Sequence, residues 1–262
     1  MKKVVLLING NLGLRVLEFV NGRGDIFITG VVVNDSRKRS AGYLNEIDKI
    51  LEQNSKAIPI LAYERSDVIE NKILEIFLNS EFGVSALFGH ILSERLLNTV
   101  PGGIINLHPS LLPIGRGADP IPWSIIDQRK QGITIHAIDA GLDTGAVLSQ
   151  KVMDTNIGMN SGEIYGLATK LLFEELVNIF SSWIDGGIET FAQYGEPVTS
   201  HKTKDLEEIR IINEHEATTV GDFLRKLQAL TFSDGRKPVM RDESGTLWNI
   251  DIRITPGDDN IN

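Results

Sequence analysis

VVLLIN, residues 4–9, is an apolar run without polar alternation that closes on Gly10 and Asn11. A strand with one wet face alternates apolar and polar residues. A short continuous run instead marks a strand buried on both faces, as in a parallel sheet covered by helices. Outward from it, Leu14, Leu17, Glu18 and Val20 follow at helical spacing, and IFITGVVVN (26–34) is a second β-branched run. A helical stretch comes at 43–54, then AIPIL (57–61), then a helix over 66–79 with Val68, Ile69, Ile73, Ile76 and Phe77 on one face. GVSALF (83–88) and GIINL (103–107) read as two more buried strands, separated by SERLLN, where Ser93 is placed to cap a helical turn. This alternation predicts an α/β fold: a Rossmann-like, mostly parallel sheet with helices on both faces.

Beyond a proline-bounded turn, WSIIDQRKQG reads as a helix ending at Gly132, and ITIHAID and AVLSQKVM as strands around the loop AGLDTG. A long helix is expected at 160–184, with Ile164, Leu167, Ala168, Leu171, Leu172, Leu176, Ile179 and Phe180 along one side. The chain then turns polar. Residues 1–190 are read as one domain, 191–217 as a linker and 218–262 as a small C-terminal helix plus β-hairpin region. In that region Thr218 or Thr219 caps TTVGDFLRKLQAL, and KPVMRDESGTLWNIDIRI folds back with Trp248, Ile250, Ile252 and Ile254 alternating.

Composition closes off several function classes. The 262 residues carry 42% hydrophobic and 23% charged side chains, ordinary for a soluble globular protein. The formal net charge of −9 argues against nucleic acid as a partner, since phosphate recognition needs clustered Lys and Arg. The short basic patch RKR (37–39) reads as a solvated loop. With no cysteine there is no disulfide, thiol nucleophile or Cys-ligated zinc, and a cytoplasmic location is expected. MKKVVLLING lacks a small-residue cleavage site, and no run reaches the roughly 18 apolar residues of a membrane span, so no membrane partner is expected.

INGNLG at the first strand–helix junction invites a dinucleotide reading, with Asp35 about where a ribose-binding acid belongs. Gly10 and Gly13 fit the second and third glycines of that pattern, but Ile8 stands where the first belongs. Glycines at such a turn also serve packing alone. A non-catalytic or NAD-binding Rossmann-type protein is therefore the alternative of another class.

GIINL ends where Asn106 and His108 emerge, two residues apart and so on the same side of a strand. Ligands of such sheets bind beyond the carboxyl ends of the strands. Asp143, in the glycine-flanked AGLDTG, is the acid able to meet them. An amide, an imidazole and a carboxylate suit acyl transfer to a bound amine. The first two stabilise the oxyanion of a tetrahedral intermediate; the carboxylate orients the imidazole and takes up or relays a proton. The structural alternatives are a hydrogen-bonded His and a turn-forming Asp. His136 either supports the site or lines it. His90, His201 and His215 have no partner at catalytic spacing, and no His–carboxylate pair has ligand spacing on one face, so no metal is expected.

NLHPSLLPIGRGADPIPWSII (106–126), followed by GITIHAIDAGLDTGAVLSQ (132–150), resembles the signature core of the folate-dependent formyltransferases. The similarity is close over 103–152 and looser from residue 1 to about 184. It implies that residues 1–190 form a formyltransferase catalytic domain, with Asn106, His108 and Asp143 as the catalytic Asn, His and Asp. It further implies that FGHIL (Phe88, Gly89, His90, Ile91, Leu92) and His136, Ile138, Asp139 and Gly141 line a folate pocket, largely through backbone groups. N10-formyltetrahydrofolate is then the donor cosubstrate. Its formyl carbon is attacked by a neutral amine and tetrahydrofolate leaves.

The departures from each branch indicate the amine. NGNLG replaces the Gly-Ser-Gly loop of glycinamide ribonucleotide formyltransferases, and the short tail resembles no basic barrel of the methionyl-tRNA enzymes. The helix and hairpin of the tail look most like the nucleotide-sugar N-formyltransferases. This implies a nucleotide-linked 3- or 4-amino-deoxysugar as substrate, formylated for cell-surface glycans such as lipopolysaccharide O-antigen, and a homodimer. The glycinamide ribonucleotide and methionyl-tRNA types are the alternatives. Asn9, Asn11, Arg116 and Phe232 are candidate substrate contacts; Phe232 or Trp248 stacks on a base or packs in a core or dimer. Ala118-Asp119 alters a substrate-facing loop relative to the family.

Overall fold

The computed structural model describes residues 1–34, 41–52, 54, 57–64, 66–195, 199–232 and 235–255. Asp35 and the basic patch 37–39 lie outside them. The N-terminal run becomes β1 (Lys2–Ile8), with Val4 to Ile8 fully buried. Burying such a side chain contributes roughly 1.5–3 kcal/mol, which explains why the run takes the middle of the sheet. α1 (Gly10–Asn21), β2 (Ile26–Val33), α2 (Ala41–Leu51), β3 (Ile60–Ala62), α3 (Asp67–Leu78), β4 (Phe82–Ala86), α4 (Glu94–Leu97) and β5 (Ile104–His108) follow in the predicted alternation. Ser66 and Ser93 cap α3 and α4 by accepting from Ile69 N and Leu96 N. Next come β6 (Arg116–Gly117), α5 (Pro120–Ile126), β7 (Gly132–Ala137), β8 (Val147–Val152) and α6 (Ser161–Ile184). The chain continues through β9 (Ser200–His201), α7 (Thr203–Ile209), β10 (Ile211–Asn213), α8 (Val220–Ala229), β11 (Val239–Arg241) and β12 (Leu247–Asn249).

The main sheet has seven strands in the order β3-β2-β1-β4-β5-β7-β8. β1 pairs in parallel with β2 and β4, and β4 with β5, while β7 runs antiparallel to β5. Strand order reverses between β1 and β4, the point at whose carboxyl side open α/β sheets place their ligands. Val5, Leu7 and Val32 pack on one face with Ile73, Ile76, Phe77 and Leu96 of the α3–α4 layer. On α1, Phe19 meets Phe180 of α6 edge-on at 5.3 Å. The partial dinucleotide motif is explained by packing: a Cβ on Gly13 would lie 2.7 Å from Ile8 Cβ.

Two compact units divide the chain, and they interleave. One comprises Met1–His108, Thr134–Gln150 and Lys170–Gln193; the other comprises Pro109–Ile133, Lys151–Thr169 and Tyr194–Asn262. In the second unit α5 packs on α8, β6 pairs with β9, and β10, β11 and β12 form a small sheet. This division differs from the boundaries expected at 190 and 218, because the chain leaves and re-enters each unit. The segment read as a linker, 191–217, carries β9, α7 and β10.

Three local expectations also change. α5 stops at Ile126 instead of running to Gly132, since Gln128 adopts a left-handed backbone (φ 56°) that ends a helix. Leu167 is exposed, and the buried stripe of α6 is Ile164, Ala168, Leu172, Leu176 and Phe180, a strict four-residue repeat. The hairpin ladder ends at Asn249; Ile250 adds one bond to Pro238 O, and Ile252 and Ile254 belong to no strand. Thr219, rather than Thr218, caps α8, accepting from Asp222 N.

Candidate active site

Strand register builds the first part of the site. Ser85 on β4 lies opposite Asn106 on β5, and Asn106 lies opposite His136 on β7. Residues paired across strands share a face, so three polar side chains form a row across the sheet. Ser85 Oγ donates to Asn106 Oδ1 at 2.8 Å, and Asn106 Nδ2 lies 3.2 Å from His136 Nε2. His136 Nδ1 sits 2.8 Å from the Ala137 carbonyl, a group that only accepts, so the ring proton is on Nδ1 and Nε2 accepts from Asn106. The amide of Asn106 is thereby fixed at both ends, with its second N–H left for another acceptor.

His136 is 1% exposed, and burial pushes its pKa down to about 4. The neighbouring His108 adds to that, while Asp143 opposes it. At neutral pH His136 is uncharged and orients Asn106. His108 emerges two residues beyond Asn106 at the strand end, buried, its ring 6.0 Å from that of His136 and nearly perpendicular to it.

Asp143 enters from the loop between β7 and β8. Its Oδ2 lies 3.8 Å from His108 Nδ1 and its Oδ1 3.6 Å from His136 Nε2. The structure thus brings together the predicted Asn106, His108 and Asp143, sets His136, read as supporting or lining the site, against Asn106, and adds Ser85. Asp139 shapes a turn of the same loop: its Oδ1 accepts from Gly141 N at 3.1 Å and Thr144 Oγ1 at 2.6 Å. Asp143 itself has a left-handed backbone (φ 52°), uncommon for a residue with a Cβ. Gln193, which no sequence pattern singled out, donates from Nε2 to the carbonyls of Asp143 (2.8 Å) and Gly145 (2.9 Å). His108, His136 and Asp143 each offer a donor atom within 4.8 Å of one another, so three groups of metal-ligating type do converge, which spacing along the chain conceals.

The 88–92 segment follows β4 through Leu87, also left-handed (φ 57°). Phe88 and His90 flank the ring of Tyr63, at centroid distances of 5.6 and 4.6 Å. Gly89 N donates to Asn34 Oδ1, and Tyr63 OH reaches Ile91 O. Leu92 is buried in the core, Ile91 is exposed, and Ile138 packs against the same core cluster. Asn9 is the N-cap of α1, its side chain making no capping bond, and Asn11 is exposed on the first turn.

Arg116 and Phe232 belong to the second unit. The Arg236 guanidinium lies 3.9 Å over the Phe232 ring. Trp248 is 54% exposed and bonds Asp242 through Nε1, so it is no core residue. His201 stacks on Trp123, and His215 pairs with Glu243 at the surface. Among the described residues no helix is long and apolar enough to cross a membrane.

Polar side chains beyond the carboxyl ends of the strands of a doubly wound sheet stand where such folds bind their ligands. The formyl transferase family model matches residues 22–175, more than half of the chain. The chain belongs to the formyl transferase family. It is 35% identical over 152 residues to a dTDP-4-amino-4,6-dideoxyglucose formyltransferase of Mycobacterium bovis, covering 58% of this chain and 64% of that one. It is also 35% identical over 139 residues to the methionyl-tRNA formyltransferase of Clostridium botulinum, covering 53% and 44%. The matched segment thus spans less than two thirds of either relative. In fold it is similar to a 4-N formyltransferase from Francisella tularensis (TM-score 0.82, 20% identity, 97% and 98% of the chains). It also resembles an N-formyltransferase from Helicobacter canadensis solved with folinic acid and dTDP-3-aminofucose (TM-score 0.66, 18% identity, 89% and 82%).

Proposed function

We propose that this chain transfers the formyl group of N10-formyltetrahydrofolate to the primary amine of a nucleotide-linked amino-deoxysugar, at its 3- or 4-amino group. The observation that carries the reading is the convergence of Asn106, His108 and Asp143 at the sheet edge in a chain of the formyl transferase family. The neutral amine attacks the formyl carbon. The remaining Asn106 N–H and the His108 imidazole hold the oxygen as it gains charge, and Asp143 takes the proton that the nitrogen loses. The C–N10 bond then breaks, the proton held by Asp143 passes to N10 and leaves the carboxylate ionised again, and tetrahydrofolate and the formamido sugar leave. The scheme needs no metal.

The donor is supported by the folinic acid bound to the Helicobacter canadensis protein, and the acceptor by the nucleotide sugars named for it and for the Mycobacterium bovis relative. The net charge of −9 favours a small anionic substrate held locally over a tRNA, which needs an extended basic surface. The reading extends to surface-glycan synthesis in the cytoplasm by a homodimer.

Incubation of the purified protein with N10-formyltetrahydrofolate and a panel of nucleotide-linked 3- and 4-amino sugars, glycinamide ribonucleotide and charged methionyl-tRNA tests it by mass spectrometry. A formylated nucleotide sugar is expected. Formylation of only the other amines, or binding of NAD(H) with no folate turnover, would refute it.

A further inference from the structure

We infer that Gln193 is the positioning residue that sets the carboxylate of Asp143, an inference resting on the formyl-transfer reading above. The loop carrying Asp143 has no strand ladder of its own between residues 139 and 145. Its near end is shaped by Asp139. Its far end is held from outside, by a segment about fifty residues later in the chain. There Phe191 and Val147 exchange both backbone bonds, at 2.8 and 3.0 Å, which fixes the height of the segment against the start of β8. Gln193 then spends both hydrogens of one amide on the two carbonyls that bracket the turn, those of Asp143 and Gly145.

Two consequences follow for the carboxylate. The left-handed backbone of Asp143 is one an L-residue leaves readily unless its neighbours hold it. With the carbonyl on one side of its Cα pinned, the side chain is aimed at His108 Nδ1 and His136 Nε2. The two carbonyls offer four lone pairs and no proton, so only a side chain with two donors at one atom serves both. Leucine matches the bulk and leaves both carbonyls bare. Glutamate matches the shape and turns two donors into acceptors. In either case the loop relaxes and the carboxylate moves away from the imidazoles.

Gln193 acts through Asp143 and touches neither substrate in this account. Its loss therefore lowers kcat and leaves KM alone, and has nothing left to lower once Asp143 is disabled. The experiment is a double-mutant cycle in formyl transfer by the full chain: parent, Gln193→Leu, Asp143→Asn and the pair. Gln193→Leu is expected to lose roughly 30-fold or more in kcat, since an ångström of misplacement costs up to about 10²-fold. KM for folate and for nucleotide sugar should stay within about twofold, and adding Gln193→Leu to Asp143→Asn should change the rate by less than about twofold. Gln193→Leu at the parental rate, or losses that multiply in the pair, overturns the inference while leaving the catalytic reading intact. Asp143→Asn at the parental rate would instead remove the catalytic reading, and this role with it. Should Gln193→Leu not fold, as judged by circular dichroism, the isosteric Gln193→Glu carries the same expected and contradicting results.

Discussion

The two halves of the site are held in different ways. Asn106 and His108 stand on β5, a buried strand paired on both sides, and their direction follows from a register that the whole sheet enforces. Asp143 stands on an irregular loop with a left-handed backbone, and its direction depends on single side chains at Asp139 and Gln193. A strand delivers a catalytic group as a by-product of core packing. A loop must be fastened bond by bond. Substitutions around the strand half should therefore act mostly on stability, and those around the loop half mostly on rate, once the reacting groups themselves are set apart.

The largest effects belong to the reacting groups, where the two halves should look alike. His108→Ala and Asp143→Asn are each expected to lose at least about 10²-fold in formyl transfer, the loss typical of a proton-transfer or oxyanion group. A steady-state assay checks this. Parental rates in both would end the assignment of either half.

The strand half also carries an acid sensitivity. His136 is neutral in the folded protein, with a pKa of about 4 against an ordinary 6.5. Above pH 6.5 both folded and unfolded chains leave it neutral, and nothing is lost. As pH falls from 6.5 towards 4 the unfolded chain takes the proton first, which removes about 3 kcal/mol of stability in total. Urea unfolding at pH 7.5 and pH 5 should show part of this loss in the parent and a smaller one in His136→Asn. Equal losses in both proteins would place the acid sensitivity elsewhere.

A fastening of the loop comes next. Asp139→Ala frees Gly141 N and Thr144 Oγ1, and should slow turnover roughly 10-fold, with the melting temperature little moved. If melting falls sharply and turnover does not, the loop is held by packing and the contrast between the halves fails. Smallest is a control far from either half. Thr219→Ala removes the N-cap of α8 and should cost about 1 kcal/mol in chemical denaturation. Its rate should stay parental, because lost stability alone does not imitate a displaced carboxylate.

The same contrast explains what could be read from the sequence. The buried runs at 4–9, 26–34, 83–88 and 103–107 announce their strands because burial on both faces leaves a continuous apolar signature. Ser93 and the Thr218–Thr219 pair announce helix starts because a hydroxyl there accepts from the backbone two or three residues on. His108 and Asn106 were legible for the same reason: two-residue spacing at a strand end is a local pattern. The bond from Asn106 to His136 was not legible, since it depends on the antiparallel pairing of β5 with β7. Gln193 had no signature either, as its partners lie about fifty residues away. The α7 and β9 elements inside 191–217 were hidden by polar composition, their stabilising contacts being tertiary. WSIIDQRKQG kept a helical pattern past the point where Gln128 turns left-handed, a backbone choice that side-chain periodicity does not encode.

A crystal structure of the protein with a non-transferring formyl-folate analogue and the accepting nucleotide sugar tests the central claim most directly. The formyl oxygen should lie about 3 Å from Asn106 Nδ2 and from the His108 ring, the spacing of an oxyanion site, with the sugar amine on the Asp143 side of the formyl carbon. A formyl group bound away from Asn106 and His108, or an Asp143 carboxylate turned out of the crevice in that complex, would contradict it.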